Sequence, residues 1–306
     1  MMKSLTRRTF VKGALVFSAS AAFADKGPQA RFPTEPRARL AVASYPFREW
    51  ILAPGNQDRD PKKPEMDLAQ FARFVRKEFG VPGIEPLDSH FPSTEFEEVR
   101  KLRQQFDAAG VHTVNIPVDE RVELCSDDEA KRNAGNASYR HWIDVAVLLG
   151  SPSIRVWIPK CPDPSDLPKA VQALKPTIDY GASKNIVVNL ENDNPVNASA
   201  ARSIAAIKIA NSPYLRALPD FGNGLQAGDE RFNAQNVRDM FAYAWNIAHV
   251  KDCEIIHGQK KTASLAELFQ ISKASGYRGY FSMESESGGD PVADTKHLIA
   301  ESLKLV

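Results

Sequence analysis

The chain has 306 residues, and its 39 Lys and Arg nearly balance its 38 Asp and Glu. This length accommodates one α/β barrel or two small domains, and no basic patch of the kind carried by nucleic-acid-binding proteins stands out. The three cysteines show no C-x-x-C spacing, so we expect buried or half-buried thiols and not a disulfide framework.

The first 24 residues predict an export signal. Arg7 and Arg8 form a paired-arginine motif, residues 14–22 are a short apolar stretch, and residues 22–24 are a small-x-small cleavage site. The apolar stretch is about half of the roughly 20 residues that a transmembrane helix needs. We therefore predict export by the twin-arginine pathway, to the periplasm or outside the cell, with no other membrane association. Without residues 1–24 the chain has 35 basic and 38 acidic residues, a net charge of −3.

Beyond the signal, the sequence predicts one linker and one folded domain. Residues 25–37 are rich in proline and charge and are expected to be a linker, whereas strand-like and amphipathic segments alternate over residues 38–306. The eight predicted strands are 40–45, 83–87, 111–117, 153–158, 186–191, 215–220, 247–250 and 279–284. Five glycines are expected to end helices just before a strand, namely Gly80, Gly110, Gly150, Gly181 and Gly276.

Eight strand–helix alternations without a change in composition predict an α/β fold, a single-domain (β/α)8 TIM barrel. The competing architecture is a doubly wound sheet, which usually has a Gly-rich phosphate-binding loop after an early strand, and the sequence has none there. Residues 51–65 form a long polar loop after the first strand. In a barrel this loop lies at the catalytic face, either as a lid or as a solvated insertion.

Four polar residues recur at nearly constant spacing in the second half of the chain. Glu191, Asp220, His249 and Glu284 are 29, 29 and 35 residues apart, and each ends a short apolar run. A strand, a helix and two loops take about 30 residues, and the C-terminal strand ends of a barrel converge on one mouth. The four side chains therefore predict one divalent-metal site. Three carboxylates and one imidazole favour Mn²⁺, Mg²⁺ or Co²⁺, with Zn²⁺ as an alternative.

The residues around these four positions resemble a known superfamily. The motifs are Asn189-Leu190-Glu191-Asn192, Pro219-Asp220-Phe221-Gly222-Asn223, His249-Val250-Lys251-Asp252 and Gly-Tyr-Arg-Gly-Tyr-Phe-Ser-Met-Glu at 276–284. They resemble the xylose isomerase-like TIM barrel superfamily, and within it the sugar phosphate isomerase/epimerase proteins, over residues 38–306. The resemblance implies one divalent metal ion held by Glu191, Asp220, His249 and Glu284. It also implies that Glu191 and Glu284 are the catalytic residues that carry protons.

The chemistry implied by this resemblance is proton abstraction next to a sugar carbonyl. The metal polarises the carbonyl, one carboxylate removes the adjacent proton, and the metal stabilises the resulting enediolate. A proton returned by the second carboxylate to the same carbon gives epimerisation, and one returned to the neighbouring carbon gives isomerisation. If a leaving group is expelled instead, the same residues act as a lyase or hydratase on a keto-sugar or glycoside.

Six further residues are expected to face the same mouth and bind the substrate. They comprise a glutamate that ends the second strand, a histidine that follows it, an Arg-x-Trp pair that shares one face of the fourth strand, an asparagine where several family members carry histidine, and a lysine after the histidine ligand. These residues are Glu85, His90, Arg155, Trp157, Asn223 and Lys251. His90 fits a loop histidine equally well, and Lys251 an ion pair with Asp252 or Glu284.

Two other classes of function share the barrel. An endonuclease IV-like relative needs several zinc ions, many histidines at the mouth and a basic DNA-binding face, which six histidines and a net charge of −3 disfavour. A non-catalytic sugar-binding barrel is disfavoured because all four predicted ligands are present. We therefore expect a small carbohydrate as the substrate and no nucleic acid, and the resemblance allows a homo-oligomer.

Overall fold

A computed structural model describes residues 27–163, 165–193 and 199–306 of the chain. The strands in this part of the chain are β1 (Leu40–Ala43), β2 (Gly83–Glu85), β3 (His112–Thr113), β4 (Ile116–Pro117), β5 (Ser153–Arg155), β6 (Val187–Glu191), β7 (Leu215–Leu218), β8 (Ile247–Val250), β9 (Cys253–Ile256), β10 (Gln259–Thr262) and β11 (Tyr280–Met283). The antiparallel hairpin β9–β10, which the sequence analysis did not predict, stands apart from the parallel strands.

The parallel strands close into a barrel. Hydrogen bonds join β3, β2, β1, β11 and β8 into one arc and β4, β5, β6 and β7 into another. β3 and β4 are two parts of the third predicted strand, separated by Val114 and Asn115. A parallel bridge between Asp220 and His249 joins the end of β7 to β8. The two arcs thus form eight strand positions in one ring, and the predicted (β/α)8 barrel is confirmed.

Helices alternate with these strands and cover the barrel. They are α1 (Leu68–Phe79), α2 (Phe96–Ala109), α3 (Glu129–Leu149), α4 (Leu167–Lys184), α5 (Ala200–Ala210), α6 (Glu230–Phe241), α7 (Leu265–Ala274) and α8 (Pro291–Leu305). Gly80, Gly110 and Gly150 end α1, α2 and α3 in the left-handed conformation, as predicted. Gly276 follows α7 in the same conformation.

The prediction for Gly181 is wrong. Gly181 lies inside α4, and Asn185, the residue that follows the helix, caps it in the left-handed conformation. A Cβ at Gly181 would approach the carbonyl oxygen of Ile186 to 2.6 Å, far inside normal contact. Glycine is therefore required there because α4 packs closely on the start of the following strand, and not because the helix ends.

Aromatic residues pack behind the strands that carry the second half of the barrel. Phe221, Phe269 and Phe281 are buried, with ring centroids 5.3 Å apart for the first two and 4.8 Å apart for the last two. Each buried phenylalanine contributes about 1.5–3 kcal/mol relative to exposure. This cluster stiffens the wall of the barrel from which His249 and Glu284 project.

The expectation that all three cysteines are free is wrong. Cys125 and Cys161 form a disulfide, with their Cα atoms 4.9 Å apart, within the usual range of about 4.4–6.8 Å. Cys253 is a free, buried thiol. The paired cysteines are 36 residues apart on the loops that follow β4 and β5, and their proximity depends on the barrel, which brings neighbouring strand ends together.

The N-terminal segment contacts the barrel where it is described. The predicted signal, residues 1–24, lies outside the described residues. In the predicted linker, the ring of Phe32 packs edge-on against Trp245 and Tyr280, and Asn185 donates a hydrogen bond to the carbonyl of Gln29. No helix among the described residues is long and apolar enough to cross a membrane.

Candidate metal centre

Four strand ends bring the four predicted ligands to one point. Glu191 ends β6, Asp220 follows β7, His249 lies in β8 and Glu284 follows β11. All four are buried, and one donor atom from each lies within 4.8 Å of the others. His249 Nδ1 lies 2.9 Å from Glu191 Oε1 and 3.1 Å from Glu284 Oε2. The nearly constant spacing in the sequence is therefore the repeat of the barrel.

Asp220 is held so that one carboxylate oxygen has no hydrogen-bond partner. The amide of Asn192 binds its backbone, accepting from Asp220 N at 2.8 Å and donating to Asp220 O at 3.2 Å. Asp220 Oδ1 accepts from the backbone N–H groups of Gly222 and Asn223, at 2.8 and 2.6 Å. Oδ2 is buried without a hydrogen bond, 3.9 Å from His249 Nδ1 and 3.4 Å from Lys251 Nζ. Because an unsatisfied buried oxygen is costly, this atom fits a cation ligand.

Glu85 orients the ring of His249. Glu85 Oε1 lies 3.0 Å from His249 Nε2 and accepts a hydrogen bond from Asn115 Nδ2 at 2.8 Å. A proton on Nε2 leaves the Nδ1 lone pair facing the three carboxylates, an arrangement typical of metal-binding histidines. Burial opposes ionisation of Glu85, but His249 and these hydrogen bonds outweigh it and lower the pKa of Glu85.

A buried chain of polar side chains lies beneath this pair. Ser153 Oγ donates to Asn115 Oδ1 at 2.5 Å, and Asn246 Nδ2 donates to Ser153 Oγ at 2.7 Å. Asn189 Nδ2 in turn donates to Asn246 Oδ1 at 3.1 Å. Barrel interiors are usually filled by branched apolar residues. Here a hydrogen-bonded network extends across the interior and fixes the position of Glu85.

Arg155 forms one wall of the centre. It is buried, forms an ion pair with Asp119, and places Nε 3.0 Å from Glu191 Oε2. Burial opposes its charge, but the carboxylates of Asp119 and Glu191 outweigh it and raise the pKa of Arg155. Glu191 thus has one oxygen facing Arg155 and the other facing His249.

Lys251 forms the opposite wall, and only 2 % of it is exposed. Its Nζ lies 2.7 Å from Glu286 Oε2, 3.1 Å from Glu254 Oε1, and 3.4 Å from carboxylate oxygens of both Asp220 and Glu284. Burial opposes its charge, but these carboxylates outweigh it and raise the pKa of Lys251 well above its usual value. One ammonium therefore serves four acidic side chains.

The buried carboxylates of the centre favour a bound cation. Burial raises the pKa of Asp220 to about 7 and also raises the pKa of Glu191. Burial opposes protonation of His249, yet the carboxylates of Glu284, Glu85 and Glu191 outweigh it and raise its pKa well above the usual value. The carboxylates thus attract a positive charge to the position beside Nδ1. A divalent ion supplies that charge, and a set of carboxylate and imidazole donors suits one.

The predicted substrate-binding residues divide between this centre and its surroundings. The metal ligands Glu191 and Glu284 line a cavity of about 220 Å³ together with Glu85, Arg155, Asn223 and Lys251. Asn223 connects the two walls, because it donates to Glu191 Oε1 at 3.3 Å and accepts from Lys251 Nζ at 3.2 Å.

His90 and Trp157 lie outside the lining of this cavity. The buried His90 ring is bonded through Nδ1 to Ser44 Oγ at 2.8 Å. The ring of Trp157 lines a neighbouring cavity, where the guanidinium of Arg121 covers it at 3.6 Å from the centroid.

The lining residues that were not predicted include Tyr45, Asp119, Glu254 and Glu286. Tyr45 is the last residue of the first predicted strand, Asp119 is two residues beyond the third, and Glu286 is two residues beyond Glu284. Each is therefore close to a predicted strand end, which is the signal that could have found it. Glu254 lies on the hairpin β9–β10, and no such signal marks it.

Comparisons with known proteins agree with this architecture. Residues 75–305 match the family model described as xylose isomerase-like TIM barrel. A comparison with curated proteins finds no match.

Solved structures share the fold at low sequence identity. A xylose isomerase-like TIM barrel protein from Mycobacterium smegmatis in complex with magnesium is 16% identical, covering 92% of this chain and 97% of that chain at a TM-score of 0.66. D-psicose 3-epimerase from Clostridium cellulolyticum H10, solved with D-tagatose, is 16% identical over 87% and 96% at 0.65. The probable 3-DHS dehydratase from Bacillus anthracis is 12% identical over 87% and 97% at 0.60. With most of its sequence matched by the family model and its barrel shared with these structures, the chain belongs to the xylose isomerase-like TIM barrel family.

Proposed function

We propose that this protein is a divalent-metal-dependent isomerase or epimerase of a carbohydrate. The observation that carries the proposal is the placement of two carboxylates, Glu191 and Glu284, within about 3 Å of the same nitrogen, His249 Nδ1. Both line one cavity. Two carboxylates beside one bound substrate are what proton removal and proton return require.

In this proposal Glu191 and Glu284 carry the protons. Arg155 holds one oxygen of Glu191 and leaves the other toward the centre of the site. Lys251 lies beside Glu284 Oε2 and contributes positive charge as that carboxylate gains or loses a proton. Asn223 links the two walls through its hydrogen bonds, and Glu85 orients the imidazole of His249. Such fixed polar groups stabilise charge that develops on a substrate oxygen.

The residues that would hold the metal are Glu191, Asp220, His249 and Glu284. Two observations support this assignment: Asp220 Oδ2 is buried without a hydrogen bond, and the bond of His249 Nε2 to Glu85 directs Nδ1 toward the carboxylates. A bound divalent ion would withdraw electron density from the substrate carbonyl and so acidify the neighbouring C–H bond. Carboxylate and imidazole donors suit Mn²⁺, Mg²⁺ and Co²⁺, whereas structural zinc sites are rich in sulfur ligands. We expect elemental analysis to find about one ion per chain. Two or three zinc ions per chain would favour the nuclease alternative.

Proton exchange tests the reaction class before the product is known. The metal-loaded protein is incubated in deuterated water with a panel of ketoses and aldoses, and the sugars are examined by NMR. We expect deuterium at the carbon next to the carbonyl, and none when the protein has been treated with a chelator. A folded, metal-loaded protein that exchanges no sugar in the panel would favour the non-catalytic binding barrel.

A second candidate is elimination from a keto-sugar or glycoside, and Glu254 favours it. Glu254 lines the cavity on the side of Lys251. Burial raises the pKa of Glu254 to about 7, so the group holds a proton that it could give to a leaving oxygen. Glu254→Gln should then abolish release of the leaving group while proton exchange continues. Equal loss of both activities would argue against this candidate.

We also propose that the protein works outside the cytoplasm. The paired arginines and the cleavage site in residues 1–24 support export, and the Cys125–Cys161 disulfide supports an oxidising compartment. Fractionation of the producing cells, with mass spectrometry of the mature N-terminus, tests this. A protein that stays in the cytoplasm with Met1 in place would contradict it.

A further inference from the structure

Carboxylates dominate the lining of the cavity at the metal centre. Of fifteen lining residues, seven are acidic and two are basic. A bound divalent ion would still leave three negative charges in excess. A proton on Glu254, whose pKa burial raises to about 7, would leave two. A ligand that enters this cavity therefore meets a negative potential.

Both basic residues of the lining are already engaged. Arg155 lies between Asp119 and Glu191, and it is 5 % exposed. Lys251 is surrounded by four carboxylates at 2.7–3.4 Å. Residues 194–198 follow β6 in the chain and lie outside the described residues, and their sequence, Asn-Pro-Val-Asn-Ala, adds no charge.

Two other cations, Arg48 and Lys63, line a groove that adjoins the cavity. Arg48 stacks over the ring of Tyr45 at 4.3 Å. Glu254 and Glu286 line both the groove and the cavity. An anionic group bound at Arg48 would therefore share its groove with these two acids.

We propose that the substrate is an uncharged polyhydroxy carbonyl compound, either a free sugar or a glycoside, and not a phosphate ester or a sugar acid. We further propose that Glu254 and Glu286 bind its hydroxyl groups and exclude anions. Both statements rest on the proposed function, because they name the substrate class of the same site.

The geometry of the acidic pair suits hydroxyl groups. Lys251 Nζ holds one oxygen of each, at 3.1 Å from Glu254 and 2.7 Å from Glu286. The two carboxylates therefore lie side by side in the lining of the cavity. A hydroxyl group can donate a hydrogen bond to either carboxylate, whereas a phosphate only accepts at neutral pH and is repelled by both.

The first experiment compares substrates of equal shape and unequal charge. Deuterium exchange is measured for D-fructose, 6-O-methyl-D-fructose and D-fructose 6-phosphate, and for the corresponding tagatose set. We expect exchange with the neutral sugars, tolerance of the methyl group, and kcat/KM for the phosphates lower by about a hundredfold or more, since like charges at a binding site cost several kcal/mol. Phosphate esters that exchange as fast as the free sugars would overturn the inference and leave the proposed function intact.

A binding measurement separates the inference from the reaction. Calorimetry with metal-free and Mn²⁺-loaded protein uses xylitol and xylitol 5-phosphate, neither of which can react. We expect xylitol to bind and its phosphate to bind about a hundredfold more weakly, even if no sugar exchanges and the proposed function fails. Tighter binding of the phosphate in either form of the protein would overturn the inference.

Variants locate the selectivity. At pH 8, above the pKa of about 7 of Glu254, Glu254→Gln and Glu286→Gln keep the size of the side chain and remove its charge, so the discrimination against the phosphate should fall by about tenfold with either. Glu267→Gln, on an exposed position of α7, is the matched control and should leave it unchanged. If discrimination is unchanged in both cavity variants, the assignment to Glu254 and Glu286 is wrong. Arg48→Ala should have no effect on the phosphates, and a loss of phosphate turnover there would place an anion site in the groove.

Discussion

The two walls of the metal centre hold the two proposed proton carriers in different ways. On the β5–β6 wall, Arg155 lies between Asp119 and Glu191, and its Nε is 3.0 Å from Glu191. On the wall formed by β8 and β11, Lys251 is 3.4 Å from Glu284 but closer to two other carboxylates. A guanidinium is planar with fixed donor directions, whereas an ammonium is a compact charge that several acceptors can share.

This difference predicts different duties for the walls. Glu191 shares its cation, Arg155, with only one other acid, Asp119, so its position depends on a single planar partner. Glu284 shares its cation with three other acids, so any change at this wall alters several groups at once. We expect the Arg155 wall to set the geometry of proton transfer, and the Lys251 wall to set stability and substrate choice.

The largest expected effect tests whether both walls carry protons at all. Glu191→Gln and Glu284→Gln should each lower kcat by about 10²–10⁴-fold, because a positioned acid or base contributes that much. Turnover is measured with excess Mn²⁺, and elemental analysis and circular dichroism confirm metal loading and folding. If the Glu284→Gln protein binds metal, folds and keeps full activity, Glu284 is not a proton carrier. The Lys251 wall would then have no proton carrier to compare with Glu191.

The next prediction separates the two cations. Arg155→Met should lower kcat by about 100-fold, because displacing a catalytic group such as Glu191 by about 1 Å has an effect of that size. The change in KM should be smaller. Lys251→Met leaves four buried acids without their shared cation. It should lower the free energy of unfolding by about 3–5 kcal/mol. Urea denaturation and steady-state kinetics of both variants provide the measurements. If the two variants lose kcat and stability in equal proportion, the walls do not differ as described.

The sequence predicted the parts of this site that repeat with the barrel. Glu191, Asp220, His249 and Glu284 end apolar runs at the repeat of the fold, so their convergence follows from local pattern and one architectural rule. The same pattern located all eight barrel strands.

The rest depends on contacts that no local pattern encodes. Glu254 reaches the site on a four-residue strand of an unpredicted hairpin, and Glu286 does so from the loop beyond β11. For Lys251 the sequence predicts substrate binding or an ion pair with Asp252 or Glu284. The pair with Glu284 is present, and only the folded chain adds Asp220, Glu254 and Glu286 as partners. Charge clusters of this kind are set by tertiary structure.

Removing the disulfide is expected to have a smaller effect on the Arg155 wall. Cys125 and Cys161 tie the loops that follow β4 and β5, and Arg155 ends β5. A cross-link closing 36 residues stabilises a chain by about 3–4 kcal/mol in the loop-entropy account. The double variant Cys125→Ser, Cys161→Ser should lose about this much stability. Its kcat should also fall, because Arg155 would be held less rigidly. Cys253→Ser is the single-thiol control. Unchanged unfolding in the double variant would show that the loops are held by packing alone.

The smallest expected effect concerns pH at the Lys251 wall. The folded-state pKa of Glu254 is raised by burial to about 7, above its usual value. Folding therefore gains from its protonation at low pH, and this contribution is lost as the pH rises from about 4.5 to about 7, amounting to about 2–3 kcal/mol between pH 5 and pH 8.

Glu254→Gln cannot titrate, so its stability relative to the wild type should rise by this amount over the same interval. Urea unfolding at pH 5 and pH 8 measures the difference, and the exposed Glu267→Gln variant should follow the wild type. If Glu254→Gln also follows the wild type, Glu254 stays ionised beside Lys251 throughout. The wall would then hold its acids by charge alone, as Arg155 holds Glu191, and the contrast between the two walls would reduce to the number of partners.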